Sequence, residues 1–272
     1  MGLPWKSGFS QACYALQEDG SWKEEEATLS KGRLWYGSGS VVLNDELVIA
    51  RGLGSFRDSM STSIEVVGGR ITKARTLEGI KLPVETTFGS CIVPWDTDTF
   101  LVIGGNLDDA TIPHPKYSQK ATYFVNIEKK TVIKGPDLKK ARYYHACGEM
   151  IVDGEEFIVV TGGYGGYFEG TQKSTEYLSK ASFVFENGGW QIGADLPVPI
   201  LYHQMVSSPN KQFLYTIGNR YDTYSKDIYR YACPTKDIKK CQWNKINTKL
   251  KNGRRRLVAF PIPNSMVKRI CQ

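Results

Sequence analysis

Short apolar runs organise this chain, and each ends at a pair of small or polar residues. Leu47-Val48-Ile49-Ala50 leads into Arg51-Gly52, and Phe100-Leu101-Val102-Ile103 leads into Gly104-Gly105. Phe157-Ile158-Val159-Val160-Thr161 leads into Gly162-Gly163, and Phe213-Leu214-Tyr215-Thr216-Ile217 into Gly218-Asn219. Runs of four or five apolar residues bounded by glycine read as buried β-strands, being too short for helices. The second members of the doublets stand 53, 58 and 56 residues apart. A period near fifty is the mark of a four-stranded propeller blade.

Other features keep this phase. An aromatic or histidine (Tyr36, Phe88, His145, His203) stands ahead of each doublet, where the pattern starts an inner strand. Leu29 through Arg33, Leu82-Pro83, Leu138 through Arg142 and Leu196-Pro197 come just before these residues. Behind each doublet lies a loop and then an alternating strand, such as Ala121 to Val125 or Ser182 to Phe185. A turn and a strand bearing Trp190 or Trp243 close two of the units.

An apolar strand ending in Gly-Gly, followed by a tyrosine and then a tryptophan, resembles the kelch repeat. The resemblance covers almost the whole chain, although Arg51 and Asn219 each break a doublet. It implies an all-β, kelch-type β-propeller formed by residues 1–272 as a single domain. Four units run from about Leu29 to Asn247. Cys13 to Leu16 and Ser21-Trp22-Lys23 read as the outer strands of a further blade, and Arg256 to Phe260 as its inner strand. A composite blade from both termini would remove exposed sheet edges and give five blades. The competing expectation is a fragment of a six- or seven-bladed propeller.

Composition modifies this picture little. The chain has 272 residues, is 41% hydrophobic and 23% charged, and carries a net charge of +7. Apart from Arg254-Arg255-Arg256 its basic residues look scattered, which disfavours nucleic acid as partner. There is no run of about 20 apolar residues to span a bilayer, so no membrane is expected. With no secretory leader in the chain as given, the location reads as cytoplasmic, or as secreted if the chain is a truncated fragment. Among six cysteines there is no CxxC pair. Cys233 and Cys241 flank a short charged turn and could staple a hairpin; free thiols are the alternative.

His145 and His203 invite a metal or general-base reading, but the repeat phase makes them structural. His114 lies in an insertion between Pro113 and Pro115 and fits a contact role. Sialidase-like and copper-oxidase-like propellers are the enzymatic alternatives. The first has only Glu18 to Trp22 as a loose shadow of its repeated turn, and the second lacks a full histidine set. No cofactor is expected. The loops at the start of the inner strands and after the doublets share one face, and they are rich in the arginines and aromatics that anchor protein interfaces. Arg57, His114, Tyr164, Tyr167, Phe168, Tyr202, Arg220 and Tyr221 are the candidate residues for a protein or peptide partner. The rival reading is that arginines in this phase, most readily Arg33 and Arg142, hold blades together. Two loops stand out for length, Asn106 to Lys120 and Tyr164 to Lys180.

Overall fold

The computed structural model describes residues 12–17, 19–29, 39–50, 63–68, 74–83, 89–106, 118–166, 170–181, 188–218 and 225–254. Among these the only helical element is a three-residue 3-10 turn, Ile238–Lys240. The strands form four antiparallel four-stranded sheets arranged as a β-propeller. Blade I holds β3 (Gly39–Leu43), β4 (Glu46–Ala50), β5 (Ile64–Gly68) and β6 (Arg75–Thr76). Blade II holds β7 (Cys91–Pro94), β8 (Thr99–Ile103), β9 (Thr122–Asn126) and β10 (Thr131–Lys134). Blade III holds β11 (Ala146–Val152), β12 (Glu155–Thr161), β13 (Thr175–Ser179) and β14 (Gln191–Gly193). Blade IV holds β15 (Gln204–Ser207), β16 (Leu214–Ile217), β17 (Ser225–Ala232) and β18 (Gln242–Arg254). The first strands β3, β7, β11 and β15 are neighbours in that order and form the inner wall.

An additional hairpin pairs β1 (Ala12–Leu16) with β2 (Trp22–Thr28), as the sequence suggested for two outer strands. It docks on blade I through the Ala74 N–H, which donates to the Thr28 carbonyl at 2.9 Å. The proposed inner partner, Arg256 to Phe260, lies outside the described residues.

The second strand of each blade explains the apolar runs. In blades II and III it is buried on both faces, so its alternate residues serve opposite blade interfaces, whereas β4 and β16 alternate buried with part-exposed or exposed positions. In β8, Phe100 and Val102 join Val41, Val48, Ile64 and Val66 of blade I, while Leu101 and Ile103 join Ile158, Val160 and Trp190 of blade III. In β12 the same split sends Phe157 and Val159 toward Met205, Leu214 and Trp243 of blade IV. Tight turns with two successive positive φ angles, Asn44-Asp45 and Asp153-Gly154, join the first two strands of blades I and III.

The structure corrects the sequence reading in two places. The third strand of blade III is Thr175–Ser179, inside the segment read as a long loop, while Ser182 to Phe185, read as that strand, lie outside the described residues. Glu176 makes that stretch look polar, but its carboxylate is neutralised from within the fold. The register also pairs Cys91 with Ile103, Ala146 with Thr161, and Gln204 with Ile217. His145 and His203 are therefore equivalent to Ser90, not to Phe88, because the hairpin turns of the blades differ in length.

Two disulfides are present among the described residues. Cys233–Cys241 closes the turn before β18, and Cys91–Cys147 joins the inner strands of blades II and III with Cα atoms 6.0 Å apart. The second closes a loop of sequence separation 56, so a Cys91→Ser/Cys147→Ser pair should lower stability by about 2–4 kcal/mol. Denaturant unfolding at matched pH measures this; an unchanged midpoint would show that blade packing alone holds the seam.

Candidate functional site

The doublets set the geometry of one propeller face. Gly104 and Gly162 have φ of +56° and +64°, and a Cβ there would lie 2.6 Å from the Arg142 carbonyl oxygen and 2.5 Å from that of Ile200. Only glycine allows this approach of the next blade. The second glycine of each pair completes the contact: Gly105 N–H donates to the Arg142 carbonyl at 2.9 Å, and Gly163 N–H to that of Ile200 at 2.8 Å.

Beneath the doublets sit the two histidines. The ring Cε1 of His145 packs where a Gly104 Cβ would be, and that of His203 where a Gly162 Cβ would be. Both imidazoles are buried, and none of their nitrogens has a well-aligned hydrogen-bond partner. Burial and then the Arg142 charge hold His145 well below the usual histidine range, with His203 adding and the Ile103 main chain opposing. Burial pushes His203 down to about 3, opposed by the Thr161 main chain and assisted by Arg142. Both rings are neutral at pH 7 and serve as packing groups.

Arg142 is the keystone of this layer. Its side chain is 0% exposed and that of Glu176 is 1%, with Nη2 donating to Oε1 at 2.6 Å. Nη1 donates to the Gly162 and Ser174 carbonyls at 2.8 and 3.1 Å, and Nη2 to Ser174 Oγ at 3.0 Å. Glu176 also accepts from the Lys139 and Lys140 N–H groups at 2.6 and 3.0 Å. The carboxylate and both Nη groups are thereby engaged inside the seam between blades II and III, as a buried charge requires. This is the inter-blade role weighed for Arg142; Arg33 lies outside the described residues.

Above that layer the face is aromatic. Tyr144 and Tyr202 occupy equivalent positions just before the inner strands, with φ of +56° and +54°; blade II has Gly89 there, at +65°. Main-chain bonds tie the three blades together, from Tyr144 N–H to the Gly89 carbonyl (2.7 Å) and from Tyr202 N–H to the Tyr144 carbonyl (3.1 Å). The Tyr202 ring lies 4.1 Å from that of Tyr144, Tyr144 4.6 Å from Tyr143, and Tyr143 5.5 Å from Tyr164. Tyr143 and Tyr164 exchange two main-chain hydrogen bonds, and all four tyrosines are partly exposed. An open polar groove of about 460 Å³, lined by Lys140, Thr171, Gln172, Lys173, Ser174 and Asp195, adjoins Tyr164 through the Tyr164–Thr171 bridge.

The structure thus brings Tyr164 and Tyr202 into one aromatic run, completed by Tyr143 and Tyr144. Arg57, His114, Tyr167, Phe168, Arg220 and Tyr221 lie outside the described residues. Cys233 and Cys241 are bonded to each other, on blade IV. Sequence reasoning missed Glu176, the Cys91–Cys147 bond and a polar clasp around Lys180. The available signal for the disulfide was its separation of 56, one blade period, which puts the two cysteines on matching inner strands. In the clasp, Lys180 Nζ reaches Glu149 and Glu156 at 2.9 Å each and donates to the Trp95 carbonyl at 2.9 Å, while Lys211 of blade IV meets Glu149 at 3.1 Å. No protein-family model matches the chain, and none of the curated proteins is detectably similar to it.

Proposed function

We propose that the chain is a kelch-type propeller of five blades, closed by its two termini, which holds a protein or peptide partner on its doublet face and carries out no chemistry itself. The observation that carries this reading is the tyrosine run Tyr164–Tyr143–Tyr144–Tyr202, half-exposed and held across blades III and IV by main-chain bonds. Tyrosine offers large rigid contact area at low entropic cost, which suits it to an interface centre. The kelch assignment is supported by the doublets, whose glycines admit the next blade's carbonyl and imidazole. The closing blade is supported by the β1–β2 hairpin against blade I.

Tyr144→Asn combined with Tyr202→Asn tests the site while sparing the fold, because asparagine accepts positive φ more readily than tyrosine. Loss of two anchors at ~2 kcal/mol each should weaken capture of a partner recovered by pull-down at least tenfold, with melting unchanged. A parallel Tyr167→Ala/Phe168→Ala/Arg220→Ala variant probes the neighbouring loops. Retention of the partner at full affinity by both variants would place the interface elsewhere.

A further inference from the structure

The net charge is not diffuse, contrary to the scattered impression of the sequence. Residues 204–272 hold 15 of the 35 Lys/Arg but only 3 of the 28 Asp/Glu, a local charge of +12; the first 203 residues carry −5. Much of this charge lies on one structural feature. β18, the outermost strand of blade IV, has 13 residues, whereas the outer strands of the other three blades have 2 to 4. It carries Lys245, Lys249 and Lys251, and the 3-10 turn leading into it carries Lys239 and Lys240, with Lys236 just before; all six are exposed. Lys245 pairs with Asp227 and Lys236 with Asp153. The Asp237 carboxylate is engaged by the Lys239 N–H as the cap of the turn. Among the described residues no carboxylate lies in salt-bridge range of Lys239, Lys240, Lys249 or Lys251.

We propose that this outer edge of blade IV is a docking surface for a sulfated polysaccharide of the glycosaminoglycan type. Bulges in β18 set Lys245 opposite Tyr229 and Lys249 opposite Asp227, which crowds its lysines onto a short stretch of edge where several can meet neighbouring anionic groups of a linear polymer at once. The rim otherwise presents Asn244, Asn247, Thr248 and Asn252, which can hydrogen-bond hydroxyl and sulfate oxygens. Its one aromatic, Trp243, is buried with Nε1 donating to Thr175 Oγ1 at 2.9 Å, so the rim has no ring on which a base could stack. Nor does a described helix offer itself to a nucleic-acid groove. The two disulfides favour an oxidising compartment, where polysaccharides of this class are the abundant polyanions. The rim is separate from the tyrosine face, so binding here is independent of the partner proposed above.

Heparin is the probe. Its affinity for the full chain is measured by titration from 50 to 300 mM NaCl, for the wild type, for Lys239→Gln/Lys240→Gln/Lys249→Gln/Lys251→Gln, and for a control with Lys81, Lys120, Lys129 and Lys130 changed to Gln. The rim variant should lose about tenfold or more in affinity near 150 mM salt. The slope of log affinity against log salt should become shallower by roughly three, since each neutralised contact removes about 0.7–0.9 of counterion release. The control should stay within about twofold of wild type, because its lysines lie outside blade IV. Equal losses in rim variant and control would overturn the proposal in favour of overall charge. Tighter binding of a single-stranded oligonucleotide than of heparin at equal charge would overturn it in favour of nucleic acid.

Discussion

Arg142→Ala should destabilise the protein by about 3–5 kcal/mol, because it strands the Glu176 carboxylate in a site that excludes water. It also leaves the Gly162 and Ser174 carbonyls without their guanidinium donor. At roughly 2–4 °C per kcal/mol for a chain of this size, melting should fall by about 10 °C. Arg142→Met/Glu176→Leu removes both charges and should recover part of the loss, though not all, because the Lys139 and Lys140 N–H groups still need an acceptor. Calorimetry on Arg142→Met, Glu176→Leu and their double variant gives the coupling directly. Additive losses would mean that the pair makes no cooperative contribution to the seam.

Stability should also fall as the solution is acidified from pH 7.5 to 5, before most carboxylates titrate. His145 and His203 are held neutral in the fold by burial and by Arg142, with His203 at about 3, whereas an unfolded histidine titrates near 6.5. Between those values the unfolded chain binds more protons, so stability rises with pH and is lost on acidification. Each histidine that stays neutral to pH 5 contributes about 2 kcal/mol of that loss, or about 4 kcal/mol for the two. Denaturant midpoints across this range measure it. His203→Ser, which installs the residue blade II uses at the equivalent position, should flatten the slope by about half. A slope unaffected by that change would mean that His203 is already protonated or solvated in the fold.

The blade architecture was legible because it is local and repeated. A strand buried on both faces must be apolar at every position, so Phe100 to Ile103 and Phe157 to Thr161 announce themselves, and the glycines after them follow from the close approach of the next blade. The doublet face was legible for the same reason, since Tyr164 and Tyr202 keep fixed offsets from the repeat. Glu176 was misread as part of a loop because a charge in a central strand breaks the apolar pattern, and its partner Arg142 stands 34 residues earlier.

Periodicity and doublets thus came from the order of residues, each being a pattern written into the chain itself. The tyrosine run, the Cys91–Cys147 bond and the clasp around Lys180 came from the tertiary structure. Each of these sets residues from different blades, or from separate turns of one blade, beside one another. Such contacts are chosen by how the blades pack around the axis, and along the chain they leave only ordinary polar or aromatic residues scattered among the turns.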